Sequence, residues 1–551
     1  MTPANAAAAP RAICSLQGPH SAIAHARPLL ALLEALLPVR FDEARQSRIS
    51  LQARRALRVQ LLAADDDGQG AGGGEDAQAE RVPSLRVSLW AAAAHEDALM
   101  AVDVRFADDP AVPWPLRGRT LRTRASARAP LAAPPGGTRV LATCGGEPWW
   151  TVEERAGTAH HRSAFALPAL AEGQGFADVF NGQRFIELLP LLHLLRIVSG
   201  EAAFVAPPLR AAFMVDDPNL HWPSYGHVDY RVLSRQAARH RYHVCFATVP
   251  ADTWFTHAAT AAIFREHPST LSLTVHGNDH ARNELSVPRS APGAVALLQQ
   301  ALRRIRRLEA AAGVSVSRVM VPPHGACSAA MLALLPALGF DGACLSTGSL
   351  RAHNPGAPWH RTAGYAPAEW VQSCPVMPRW GLGGEPRNAL LLAAYLGQAL
   401  VLRVHQQDLR GGPALFDEWA GFINGLGDVH WSGMASLAAR GAAWRREGDI
   451  CRVRPFGRRV ELTLDGGWPR GAVEVEPRPG VRWHCIRSDA PGLPALTIEA
   501  AAPAEPDESA PPRRRPALAV RRLLAEARDR LSVMLPGPAR AAAVPGLDPR
   551  S

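Results

Sequence analysis

From residue 208 onward the sequence alternates short apolar runs with helical patterns, and four of those runs end in carboxylates or imidazoles. The runs are AAFMV (211–215), YHVCFATV (242–249), LSLTV (271–275), RVMV (318–321), FDGACLS (340–346), WVQSCPV (370–376) and ALVLRV (399–404). Short apolar runs bounded by turn residues read as strands buried on both faces. Between the third and fourth lies AVALLQQALRRIRRLEAAAG (294–313), apolar at helical spacing and stopped by Gly313. Such alternation predicts a parallel sheet or barrel, because parallel neighbours need a crossover, usually a helix. The first run leads into Asp216-Asp217-Pro218-Asn219 and the third into His276-Gly277-Asn278-Asp279-His280. The fourth leads into Pro322-Pro323-His324-Gly325 and the seventh into His405-Gln406-Gln407-Asp408. The C-terminal strand ends are where a (β/α) barrel assembles an active site, so these residues are expected to meet at one rim.

The flanking regions have a different texture. Residues 1–203 read as a mixed region, with strand-like runs near 86–93 and 98–106 and a hairpin over 139–154. An Asp/Gly-rich insert at 64–80 reads as a loop, and the apolar segment 181–197 as a packing element between domains. Residues 446–500 alternate in strand fashion with Gly/Pro turns, which predicts a small β-sandwich-like domain. Residues 501–516 read as a linker, and 517–535 as a basic amphipathic helix. That helix is expected to dock on the body, or to meet a membrane surface or a protein partner.

Composition removes several chemistries. The 60 basic residues are all arginine, so a lysine Schiff base, a Walker-A NTPase and a protein kinase are excluded. The formal charge of +10 is spread along the chain rather than clustered, which argues against a nucleic-acid partner. The eight cysteines form no C-x-x-C pair and so neither a zinc ribbon nor a disulfide framework. No run is long and apolar enough to span a bilayer, and a basic-then-apolar leader is absent, so a soluble, cytoplasmic protein is expected.

His276 and His280 form the only H-x-x-x-H in the chain. If a helix opens after the third strand, both imidazoles project from one face and share a metal. A carboxylate from another strand end completes a two-imidazole, one-carboxylate site. Zn²⁺ is the leading occupant, and Fe²⁺, Co²⁺ or Ni²⁺ suit the same ligands.

The D-D pair, the H-G-x-x-H, the P-P-x-G turn and the late strand ending in His together resemble the polysaccharide deacetylase superfamily (NodB homology, carbohydrate esterase family 4). The resemblance covers about 208–440. It implies an α/β fold class: a distorted (β/α)7 barrel over 204–445, preceded by the mixed α/β region and followed by the β-sandwich-like domain. It also implies metal-dependent hydrolysis of an amide, the deacetylation of an N-acyl amino sugar, a glycan-related or a small acylated substrate. In that scheme Asp216 is the general base, Asp217 joins His276 and His280 on the metal, and His405 protonates the leaving amine. Pro323, His324 and Gly325 line the pocket. The chain departs from the pattern at Val321, where the family has an arginine that orients the base, and at His324, where it has tyrosine. Arg282 and Arg379 are the candidates to replace that arginine, and Asp408 is the candidate partner of His405.

Asn219, His221, Trp222 and Tyr225 follow the Asp pair in an aromatic loop that suits stacking on a sugar ring or another flat apolar face, or packing as a tether for the N-terminal region. Asn278 and Asp279, between the ligands, are candidates to hydrogen-bond the imidazoles from outside. The alternative to an enzyme is a catalytically lapsed deacetylase fold that binds carbohydrate, motivated by the missing arginine at 321.

Overall fold

The computed structural model describes residues 12–43, 57–62, 85–91, 99–126, 131, 137–383, 385–463, 472–488, 495–501 and 516–534. The insert at 64–80 and nearly all of the linker at 501–516 lie outside the described residues.

All seven apolar runs after residue 208 form strands, at Arg210–Asp216, Val244–Thr248, Leu271–His276, Val316–Val321, Gly342–Cys344, Cys374–Met377 and Leu400–Val404. The sixth run is a hairpin, because Glu369–Val371 folds back antiparallel on Cys374–Met377. The first six of these seven are laid side by side in chain order, and Leu400–Val404 returns to pair with Arg210–Asp216. With the hairpin's outer strand and the short strand His430–Trp431, the sheet has nine strands. Its seven main strands are parallel, and the strand Arg210–Asp216 is buried at every residue, as a sheet covered on both faces requires.

Alternation along the strands divides the packing in two. Phe213, Val215, Phe246 and Leu273 face the helices, while Ala212, Met214, Cys245, Ala247, Val319, Val321 and Val401 pack on one another across the concave face. The expected barrel is not a continuous closed ladder. Past Met377 the chain touches Leu400–Val404 through one parallel bridge, Trp380 to Leu402, and the strand path is otherwise open. Small interior side chains such as Ala212 and Ala247 let the sheet curl tightly, and the hairpin at the sixth run interrupts its closure.

The long helix runs from Ala291 to Ala312, capped by the Ser290 hydroxyl and stopped by Gly313 at φ +65°. Ahead of the central sheet is a second nine-stranded sheet, covered by the helix His20–Leu36 and filled by Phe106, Trp149, Trp150 and Phe165. The apolar segment expected to pack between regions does so: Arg196 of the helix Leu189–Val198 donates to the Tyr395 carbonyl at 2.8 Å and lies 4.5 Å from the Tyr395 ring. After residue 441 two three-stranded sheets share a core of Ala442, Cys451, Val453, Val460, Leu462, Leu496 and Ile498. The last described element is the helix Pro516–Met534. No helix among the described residues is long and apolar enough to cross a membrane.

Candidate metal centre

Parallel register brings the reactive strand ends together. Val215 is level with Val404, so Asp216 and His405 leave neighbouring strands at the same height. His276 is level with Val321 on its other neighbour. Directly after Asp216 the backbone turns sharply, with Asp217 at φ +75°, a left-handed conformation that aspartate tolerates better than most residues. That turn aims the Asp217 carboxylate across the rim. Its Oδ1 lies 2.7 Å from His280 Nε2 and 3.3 Å from His276 Nε2.

No helix carries the two histidines. Gly277 at φ +61° and His280 at φ +53° make residues 277–283 a loop, and a buried carboxylate shapes it. Glu284 accepts the backbone N–H of Asn278 at 2.7 Å, of Asp279 at 3.0 Å and of His280 at 3.1 Å. A Cβ on residue 277 would lie 2.1 Å from Glu284 Oε1, so only glycine leaves room for that carboxylate. Glu284 was not visible as a site residue in the sequence; its sole signal there is a place four residues after His280.

Asp217, His276 and His280 offer ligand atoms within 4.8 Å of one another. Their chemistry fits a cation. His276 Nδ1 sits 2.8 Å from the Val321 carbonyl, which can only accept, so the ring proton belongs on Nδ1 and the neutral ring presents a lone pair at Nε2. That lone pair faces Asp217 Oδ1, itself an acceptor, buried and without an aligned donor. Two acceptors aimed at one point need a positive charge between them. Without a metal, a proton fills the role: burial disfavours the charged forms, yet the pairing outweighs it, raising His276 and holding Asp217 well below the usual carboxylate range.

Of the two arginines considered beside Val321, Arg379 reaches the first aspartate of the pair. Arg379 Nη1 reaches Asp216 Oδ1 at 2.9 Å and Oδ2 at 3.0 Å, with both side chains almost wholly buried. Burial alone would raise the Asp216 carboxyl; the Arg379 charge beside it turns the shift downward and keeps it ionised. Arg282, the other candidate, is exposed.

No family model matches the sequence, and no curated protein matches it significantly. Solved structures do match. A Mycobacterium smegmatis protein described as a polysaccharide deacetylase is 16% identical, with a TM-score of 0.31 over 43% of this chain and 91% of its own. A carbohydrate esterase family 4 enzyme from Streptococcus mutans is 13% identical, with a TM-score of 0.25 over 41% of this chain and 86% of its own. A family 4 acetyl xylan esterase from Clostridium thermocellum, solved with a cobalt ion, is 13% identical, with a TM-score of 0.24 over 41% and 89%. The similarity is to polysaccharide deacetylases.

The remaining candidates are placed differently from expectation. His324, at φ +56° in the turn Pro323–Gly325, puts its ring 4.8 Å from that of His280, at the edge of the centre. Asp408 takes the backbone N–H of His405 at 2.8 Å, and its carboxylate is 4.0 Å from the ring nitrogen, too far for a hydrogen bond. Asn278 and Asp279 point away from the imidazoles. The Asn278 amide bonds Gln300 at 2.8 Å and Arg304 at 2.7 Å, and Asp279 pairs with Arg304 at 2.6 Å, which ties the loop to the helix Ala291–Ala312.

The aromatic loop is engaged by the protein itself. Asn219 is buried and accepts the Tyr230 hydroxyl at 2.6 Å through its carbonyl. His221 contacts Glu526 at 2.9 Å and the Asp252 carbonyl at 2.7 Å. Tyr225 donates to Asp529 at 3.2 Å, and Trp222 stacks on His257 with Arg530 5.3 Å from its ring. The contacts of this loop reach the C-terminal helix rather than the N-terminal region that a tether was expected to hold. Cys327, just after the turn Pro323–Gly325, is fully buried, and burial together with the neighbouring Cys374 pushes its thiol well above the usual range.

Proposed function

We propose that the chain is a metal-dependent hydrolase that removes an acyl group from an N-acylated amino sugar or a related glycan. The observation that carries this reading is a buried carboxylate, Asp216, held ionised by Arg379 directly beside a three-ligand centre of Asp217, His276 and His280. Zn²⁺ is the proposed occupant, with Fe²⁺, Co²⁺ or Ni²⁺ compatible with the same donors. When bound there, such a cation supplies Lewis acidity to a carbonyl and acidifies a water. The chain's own groups supply the proton movements. Asp216, an acceptor without a proton of its own, takes one from the attacking water. His405, level with Asp216 on the next strand, is the proposed donor to the departing nitrogen, which cannot leave as an anion. Arg379 holds the base in place throughout. The substrate class comes from the resemblance of the D-D, H-G-x-x-H and P-P-x-G set.

The lapsed-binder alternative rested on Val321 standing where an arginine belongs. The Arg379–Asp216 pair favours the enzyme over that reading.

Metal content and release of acetate from N-acetylated chito-oligosaccharides test the proposal. Asp217→Ala and His276→Ala are expected to purify with little metal. Asp216→Asn is expected to keep its metal and to lose about 10²–10⁴-fold in rate. A metal-free wild type, or deacetylation indifferent to all three changes, would sink it.

A further inference from the structure

We propose that the outward face of the C-terminal helix docks onto an anionic lipid bilayer. Among the described side chains of Pro516–Met534, those that meet the body do so through polar groups. Arg522 pairs with Asp252, Glu526 with His221 and Asp529 with Tyr225, while Arg530 covers Trp222. At 100° per residue these four lie on one face of the helix. Turned away from the body is a second stripe of Val520, Leu523, Leu524 and Leu531, exposed by 56%, 53%, 65% and 58%. Large apolar side chains lined up along one helix face ordinarily meet a core or a partner rather than water.

Exposed rings also stand on the body near where the helix is held. His221, held by Glu526, has the Trp254 ring 5.0 Å away and the Phe255 ring 6.0 Å away, and Trp254 is 66% exposed. Arg521 and Arg528, both exposed, fall on one border of the stripe. The sequence places Arg513, Arg514 and Arg515 just ahead of the helix. An apolar stripe edged by arginine, with indole and phenyl rings beside it, is the chemistry of a helix lying in a membrane interface. The arginines complement anionic headgroups, each adding attraction that salt screens. A second copy of the chain would bring the same arginines face to face, which charge disfavours. The inward polar contacts explain how the helix can stay fixed to the body while its other face enters lipid. None of this depends on the hydrolase reading, so each can fail alone.

Co-sedimentation of the full chain with vesicles tests it. Binding is expected to mixed phosphatidylglycerol–phosphatidylcholine vesicles, to weaken with added salt, and to be absent on phosphatidylcholine alone. Leu523→Glu with Leu524→Glu is expected to lower the bound fraction about tenfold or more. Because both side chains are exposed, the melting temperature should not move. Val520→Gln with Leu531→Gln probes the same face at different points and should weaken binding as well. No binding to anionic vesicles, or binding that both variants retain, overturns the proposal. So does a dimer in light scattering that the Glu variant dissolves, since a second copy would then cover the face.

Discussion

Asp216 and Arg379 are more than 160 residues apart in sequence yet share one buried ion pair. Removing one partner leaves the other buried and uncompensated, an error that costs about 3–5 kcal/mol or forces the survivor to neutralise. Arg379→Ala is therefore expected to lower thermal stability by about that amount, and to abolish deacetylation even in molecules that stay folded. Glu284 acts more gently. Its carboxylate collects three backbone N–H groups of the loop that carries His280. Glu284→Gln keeps the shape but replaces one acceptor oxygen with a donor, so titration calorimetry should find metal affinity reduced about 10–100-fold. The clustering of Asp217, His276 and His280 was readable from the sequence because imidazoles and carboxylates at strand ends are conspicuous. Glu284 was not, because a carboxylate that binds backbone leaves no periodic trace, and Arg379 could be named from the sequence only as one of two arginines, since nothing in the spacing separates it from Arg282.

At the level of elements, the strands were the most readable part, since seven apolar runs recur with helical patterns between them. The short turns were the least. Spacing suggested a helix for the H-x-x-x-H, but Gly277 and the pull of Glu284 on three amides favour a loop there. The aromatic segment 219–227 read equally well as a sugar platform or a tether for the N-terminal region, and its contacts reach instead a helix 300 residues later. The attachment of that helix rests heavily on the Arg522–Asp252 pair, in which Asp252 is buried. Arg522→Ala is expected to loosen the helix, visible as faster hydrogen exchange and earlier proteolysis across 516–534, with the central sheet still protected.

Across the whole molecule, three buried histidines set how stability answers to acid. His161, His193 and His243 are each pushed down to about 4, chiefly by burial. Above the ordinary imidazole value near 6.5 they are neutral whether the chain is folded or not. Between about 6.5 and 4 the unfolded chain takes up protons that the folded chain refuses, so stability falls as pH falls, by up to about 1.4 kcal/mol per pH unit for each histidine. Glu369, raised to about 7 by burial, pulls the other way over part of that window. Denaturant melts at pH 7.5, 6 and 5 are expected to show a steady loss. A flat profile would mean the three rings are hydrated in solution.

The placement of Arg379 also bears on how such a site can change over generations. Val321 and Arg379 belong to different strand ends, yet Val321 packs in the same interior cluster as Met214, which Arg379 touches at 3.3 Å. The rim thus offers more than one mounting point from which a long cation can reach the same carboxylate. A lineage can hand the task from one mount to the other without ever losing it, provided the newcomer is in place before the old arginine drifts away. The handover should be reversible in the laboratory: Val321→Arg is expected to restore part of the activity that Arg379→Ala removes. Kinship in a fold of this kind is then better traced by which charge reaches a point in space than by which letter stands in a column.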